Sequence, residues 1–252
     1  MRRSPLHCWA KYVDPARADE EPTAAMRFGT LVHCLVLAPE TFGEEFVLAD
    51  AINRRTKDGQ AEYAALAATG KQIVTGKEYR TALETVKAIK RHPVASGLFR
   101  VGEPEKTVVV EREPHLWPLK GRLDWLAPQP AIVEFKTATD AGREGFLRAV
   151  YRHGYHLSAA YYRMLVGRTT GTPEADIPHT FVVAETRRPY AVAVYPSSER
   201  LLAEGRDLWE TALARFDECW TSGDWPSYPV ETLDPTAAGG PRFAVEDGEL
   251  EL

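Results

Sequence analysis

The sequence predicts an α/β fold in which one mixed sheet is flanked by helices. Three observations carry this expectation. Short β-rich runs follow one another at 107–113 (TVVVERE), 118–126 (PLKGRLDWL) and 131–137 (AIVEFKT), parted by Pro, Gly or similar breakers. Apolar residues at helical spacing lie before and after them. Two more β-rich runs, 180–186 and 191–195, precede a last helical stretch, and this alternation is that of a layered α/β architecture.

Taken in order, FGTLVHCLVL at 28–37 is apolar and compact, with Pro39 just beyond it as a stop signal, and reads as a buried helix. Residues 40–60 are mixed, and Asn53-Arg54-Arg55 and Lys57-Asp58-Gly59 predict an exposed loop. From Glu78 to Arg91, the spacing of Leu83, Val86 and Ile89 predicts an amphipathic helix that ends at His92-Pro93. After the three strands, Phe146, Val150, Tyr155, Ala159, Tyr162 and Val166 predict one long helix over 143–166. A last helix is expected over 198–222. The expected organisation is one domain over 1–222, with a helical part at 20–100 and a core at about 105–222. A Gly- and Pro-containing acidic tail, 223–252, is expected to be loosely ordered.

A chain of 252 residues with 44% hydrophobic and 27% charged residues can bury a full core, which excludes wholesale disorder. No apolar run reaches the roughly 18 residues a membrane span needs, and Met-Arg-Arg-Ser-Pro does not open like a secretory signal, so no membrane and a cytoplasmic location are expected. Cys8, Cys34 and Cys219 are too few and scattered for a disulfide framework. The net charge of −5 is concentrated, since residues 231–252 hold six acids against Arg242 alone. Residues 51–92 hold nine Lys/Arg against four Asp/Glu, and 141–168 hold five Arg against Glu144. Each stretch reads either as a phosphate-binding patch or as a solvated helix face.

The stretch GRLDWLAPQPAIVEFKT carries the chemistry. Asp124 lies near the end of one predicted strand, and Glu134 and Lys136 lie two apart on the next, so the latter pair shares a face. A hairpin would bring Asp124 to Glu134. Two carboxylates suit a hard divalent ion such as Mg²⁺, and Lys136 could orient or deprotonate an attacking water and stabilise a pentavalent phosphate. The Phe135 carbonyl could add an oxygen ligand. The alternative is a surface ion pair, but an acid and a lysine inside an apolar strand are costly without a metal or partner.

With these residues the sequence resembles the PD-(D/E)xK nucleases, whose fold is a restriction-endonuclease-like core, and among them the RecE-type exonucleases related to RecB and lambda exonuclease. GRLDWL and IVEFKTATDA match the aspartate and Glu-x-Lys motifs. MRFGTLVHCLVLAPETF resembles the N-terminal helix, with Gly29 and His33 in a Gly-x-x-x-His motif whose histidine approaches the metal. Glu105 stands where relatives carry a further acidic residue, with Glu111 or Glu113 as competitors, and Arg27 matches the region where relatives place a phosphate-binding arginine. YRHGYHLSAAYYR resembles the helix with a Gln-x-x-x-Tyr motif, where Tyr162 matches and Ser158 replaces the Gln. NRRTKDGQAEY resembles a loop of the RecE-type subset, and the resemblance spans roughly residues 20–225.

The resemblance implies Asp124, Glu134 and Lys136 as catalytic residues. It implies His33, Glu105, Asp124, Glu134 and Phe135 around Mg²⁺ or Mn²⁺, and Arg27, Ser158 and Tyr162 on DNA. It implies 5′-to-3′ digestion of linear double-stranded DNA by a ring-shaped trimer or tetramer, paired with a single-strand annealing protein. A single-strand or structure-specific RecB-like nuclease and a non-catalytic DNA-binding relative are the competing readings.

Overall fold

The computed structural model describes residues 3–18, 20–50 and 52–230. Its main elements are α1 (Ala24–Leu37), β1 (Phe46–Ala49), α2 (Lys57–Ala67), β2 (Gln72–Thr75), α3 (Gly76–Arg91), β3 (Glu103–Val110), β4 (Leu119–Ala127), β5 (Ala131–Ala138), α4 (Arg143–His153), α5 (Tyr155–Thr170), β6 (His179–Glu185), β7 (Val192–Pro196) and α6 (Glu199–Ser222). The central sheet has the order β3-β4-β5-β6-β7, antiparallel throughout except for the parallel β5–β6 pair. The expected mixed sheet flanked by helices is therefore what the chain forms.

Local chemistry explains the helix starts. Thr23 accepts a hydrogen bond from Met26 N at the head of α1, and Thr75 with Glu78 closes a capping box on α3. Alternation along the strands then fills two cores. Ile132, Phe181 and Val183 pack with Ala160, Met164 and Leu165 of α5 and Leu202 of α6. Val133, Phe135 and Val182, one residue out of phase, pack with Leu31, Val32 and Leu35 of α1 and Val86 and Ile89 of α3.

Three expectations are corrected. The single helix over 143–166 is two, because Gly154 takes a left-handed conformation (φ 75°) that ends α4 and turns the chain into α5. The loop expected over 40–60 instead contains β1, which pairs in parallel with β2, and Lys57-Asp58-Gly59 opens α2 under the cap of Thr56. The first β-rich run is shifted, with β3 beginning at Glu103 and ending at Val110, so Glu111 and Glu113 fall beyond it. Residues 223–230 of the expected tail have no regular structure, and 231–252 lie outside the described residues. No helix among the described residues is long and apolar enough to cross a membrane.

β4 carries the irregularity that makes the site. Leu123 and Trp125 are two apart and should share a face, yet they lie in opposite cores, so the strand rolls at Asp124. β3 is distorted at the same level. Its register with β4 sets Glu105 opposite Asp124, and Glu105 has a positive φ of 49°. Before the roll, Gly121 faces α5 so closely that a Cβ would sit 2.7 Å from Leu165 Cδ1 and 2.9 Å from Tyr162 Cε1, so only glycine lets α5 lie this near.

Candidate active site

The β4–β5 ladder has only three pairs, ending at Trp125 with Val133. The next pair would be Asp124 with Glu134. There the strands fork, and the Asp124 side chain takes the place of a backbone partner by accepting from Phe135 N at 2.8 Å. The hairpin expectation thus brings Asp124 and Glu134 to one place.

Glu134 and Lys136 leave β5 on one face, and Lys136 Nζ lies 2.7 Å from Glu134 Oε1 and 3.9 Å from Asp124 Oδ2. The other Glu134 oxygen, Oε2, lies 3.2 Å from His179 Nε2, and His179 Nδ1 is 2.9 Å from Ser197 Oγ. Burial would raise the Glu134 pKa, but the attraction of Lys136 and the His179 hydrogen bond outweigh it and leave the carboxyl well below its ordinary value. Burial likewise opposes the Lys136 charge, and Glu134 with Asp124 more than restores it, so the ammonium is held above its ordinary pKa. The Tyr155 ring lies under it, 5.1 Å from Nζ.

Asp124 is shifted the opposite way, to a pKa of about 7. Burial and the neighbouring Glu134 charge raise it, against Lys136 and the Phe135 hydrogen bond. A carboxylate strained in this way is stabilised by a cation. The donor atoms of His33, Glu105 and Asp124 all lie within 4.8 Å of one another, a nitrogen and two carboxylates suited to a divalent ion. His33 is neutral and able to ligate, since burial and then Lys136 lower its pKa to about 3. It lies one turn after Gly29, which is where α1 passes over β5, with Thr137 Oγ1 3.6 Å from the position of an added Cβ.

The sequence-predicted residues therefore divide. His33, Glu105 and Asp124 come together, while the Glu134 oxygens turn to Lys136 and His179 and do not join that group. The Phe135 backbone meets it twice, through its N–H on Asp124 and through a hydrogen bond with His33. Ser158 and Tyr162 are half-buried on α5, and the charges of Glu134, Lys136 and Asp124 all reach the Tyr162 hydroxyl. Burial first, then Glu134, pushes that hydroxyl up to about 12. Arg27 is apart, since six residues on α1 turn it to a different side from His33, and its guanidinium folds back onto the Pro22 carbonyl.

Two residues escaped the sequence reading. His179 came from a strand 45 residues beyond Glu134, and its signal was a lone histidine opening an apolar run. Arg122 lies on β4 with Nε 2.8 Å from Glu105 Oε2. The basic stretches line concavities in company with acids. Lys77, Arg80 and Lys87 of α3 border one of about 380 Å³ and Arg91 with Arg188 another of about 570 Å³, with Glu84 in both; Glu84 pairs with Lys87 and Asp50 with Arg80. Arg148, Arg152 and His153 of α4 line another of about 560 Å³ with Thr137 and Tyr155, next to Lys136.

A crystal structure of a "Putative exonuclease" from Eubacterium rectale is similar with a TM-score of 0.57 at 15% identity, over 88% of this chain and 82% of that one, which shows a shared fold. A phage related exonuclease from Haemophilus somnus 129PT is 15% identical over 67% of this chain and 85% of its own, with a TM-score of 0.32. No curated protein matches. Residues 1–234 match the family described as a PDDEXK-like domain of unknown function (DUF3799), and the chain belongs to that family.

Proposed function

We propose that this protein is a divalent-metal-dependent exodeoxyribonuclease that degrades linear double-stranded DNA. The observation that carries the reading is the juxtaposition of a nitrogen-and-carboxylate donor group, His33, Glu105 and Asp124, with a buried, charged lysine 3.9 Å from Asp124. Digestion from the 5′ end, a ring-shaped oligomer and work beside a single-strand annealing protein in phage-type recombination rest on the resemblance to RecE-type enzymes. Arg91 and Arg188 beside α3 and Arg152 on α4 supply basic groups that support an extended polyanion as substrate.

In this reading His33, Glu105 and Asp124 hold the ion, Mg²⁺ or Mn²⁺, and the imidazole in the set favours Mn²⁺. A bound divalent ion would neutralise charge on the scissile phosphate and lower the pKa of a water. Asp124 must give up its proton to take part. Lys136, charged and clamped by Glu134 over the Tyr155 ring, cannot accept a proton; it orients the attacking water and meets the charge that develops on the phosphate. Glu134 therefore acts on the reaction through Lys136, and His179 fixes Glu134. Tyr162 and Ser158 border the same face for contact with the strand.

The test is digestion of end-labelled linear duplex and of covalently closed circles, with Mg²⁺, Mn²⁺ or EDTA. Linear DNA should be shortened from its ends only when metal is present, and closed circles should survive. Equal digestion in EDTA would sink the reading.

A further inference from the structure

β3 and β4 continue past the fork as a two-stranded arm. One face of it packs on α5 and α6 through Val108, Leu119 and Leu123, and the other face is open, with Thr107, Val109, Lys120 and Arg122 exposed. That open face leads into the cation group, because Arg122 and Lys120 precede Asp124 on β4 by two and four residues, roughly 7 and 13 Å along the strand. Lys120 has no acidic partner among the described residues. Arg122 has one, Glu105, and Glu105 belongs to the cation group.

We infer that Arg122 is a positioning residue that occupies Glu105 until a phosphate of the incoming strand takes the guanidinium, so that DNA and metal bind cooperatively. The inference rests on the nuclease reading above. The pair is built to exchange. The Arg122 side chain is 69% exposed, and an exposed ion pair is weak. A guanidinium binds phosphate through two parallel hydrogen bonds and gives up Glu105 without remaining unpaired. Glu105 cannot leave as easily, since its positive φ and its place opposite Asp124 aim it at the group.

Charge gives the coupling its sign. Around the fork stand three carboxylates, Glu105, Asp124 and Glu134, and two cations, Arg122 and Lys136; His33 is neutral. With Arg122 in place, an arriving divalent ion meets a competing positive charge and a ligand already engaged. Once Arg122 and Lys120 hold phosphates, the same carboxylates face one internal cation only. By linkage, metal then favours the DNA-bound arrangement to the same degree.

The experiment is Mn²⁺ titration of the full chain, followed by the electron paramagnetic resonance of free Mn²⁺, with and without a duplex carrying phosphorothioate ends. DNA should tighten Mn²⁺ binding by the parent. Arg122→Gln should bind Mn²⁺ about 3- to 10-fold more tightly than the parent without DNA, and DNA should tighten it no further. Its affinity for the duplex should fall, with the salt slope smaller by about 0.9. Glu105→Gln should abolish the difference between Arg and Gln at 122. Unchanged or weaker Mn²⁺ binding by Arg122→Gln would mean that Arg122 only supports the arm, and would overturn the inference while leaving a Mn²⁺-binding, DNA-cutting parent intact. A parent that neither binds Mn²⁺ nor cuts DNA overturns the nuclease reading itself.

Discussion

The two sides of the β4–β5 fork carry the same kinds of group and resolve them oppositely. On the β5 side, Glu134 spends both oxygens on internal partners, Lys136 and His179, and its carboxyl is held ionised. On the β4 side, Asp124 has one strong internal donor, the Phe135 N–H, and lies 3.9 Å from both Lys136 and a neutral His33. Burial then tips it toward the protonated form. The lesson concerns where a buried charge finds its counterpart. The Glu134 side is complete within the chain, whereas the Asp124 side has the donor set that the proposed metal would complete.

The comparison breaks most sharply at Lys136. Lys136→Met should lower single-turnover cleavage by about 10²- to 10³-fold while Mn²⁺ still binds, because the cation group is left in place. If cleavage survives, the β5 side is structural only. Glu134→Gln should act in the same direction and also destabilise, since it leaves Lys136 buried without its counter-ion; about 3–5 kcal/mol is the scale for breaking such a pair, read by chemical denaturation.

Asp124→Asn separates the two sides more finely. The amide oxygen can still accept from Phe135 N–H, so the metal-free fold should be unharmed or firmer, while Mn²⁺ affinity should drop by about tenfold or more. A variant that unfolds without metal would show that the Asp124 charge is satisfied internally after all.

A pH series sharpens the contrast through its sign. The Asp124 pKa is raised to about 7, so below about 4 its proton favours the folded chain, and this favour is lost as pH rises toward 7. Glu134 is lowered, to about 2, and contributes stability that is present above its unfolded value of about 4.5 and lost only as pH falls toward 2. Between pH 4 and 7 the Asp124 contribution should therefore decline, opposed by His33, whose lowered pKa costs stability as pH falls below its ordinary 6.5. Asp124→Asn should leave only the rise of metal-free stability with pH, while in the parent Mn²⁺ affinity rises and levels off near 7 as binding no longer displaces a proton. Calorimetry in buffers of different ionisation enthalpy reads the proton released, and Asp124→Asn should abolish it.

The smallest effect is expected at His179. His179→Ala removes one bond from Glu134 and leaves Lys136, so stability should fall by about 1–3 kcal/mol and cleavage by less than in Lys136→Met. Equal losses in both variants would mean that the histidine, not the lysine, sustains the ionised Glu134.

Much of this was legible before the fold. The strands around Asp124 and Glu134 announced themselves by β-branched runs and breakers, and a two-residue spacing put Glu134 and Lys136 on one face. The errors lay where single residues override a pattern. Gly154 interrupted an apolar periodicity that continues on both sides of it, because a left-handed residue redirects the axis without altering the spacing. The loop expected at 40–60 concealed β1, whose four residues gain their partner only from β2, 26 positions later.

By itself the sequence determined the layered α/β class and the strand that bears Glu134 and Lys136, with Asp124 near it if the two strands formed a hairpin, because period-two and helical patterns are local properties of the chain. The group of His33, Glu105, Asp124 and Glu134 came only from the family resemblance, and only the tertiary structure decided how it divides, with His33 and Glu105 beside Asp124, Glu134 turned to Lys136 and His179, and Arg122 on Glu105. Those assignments depend on where β4 rolls and forks from β5 and on how closely α1 and α5 approach. Such packing is set by contacts among residues far apart in the chain, and no local spacing records it.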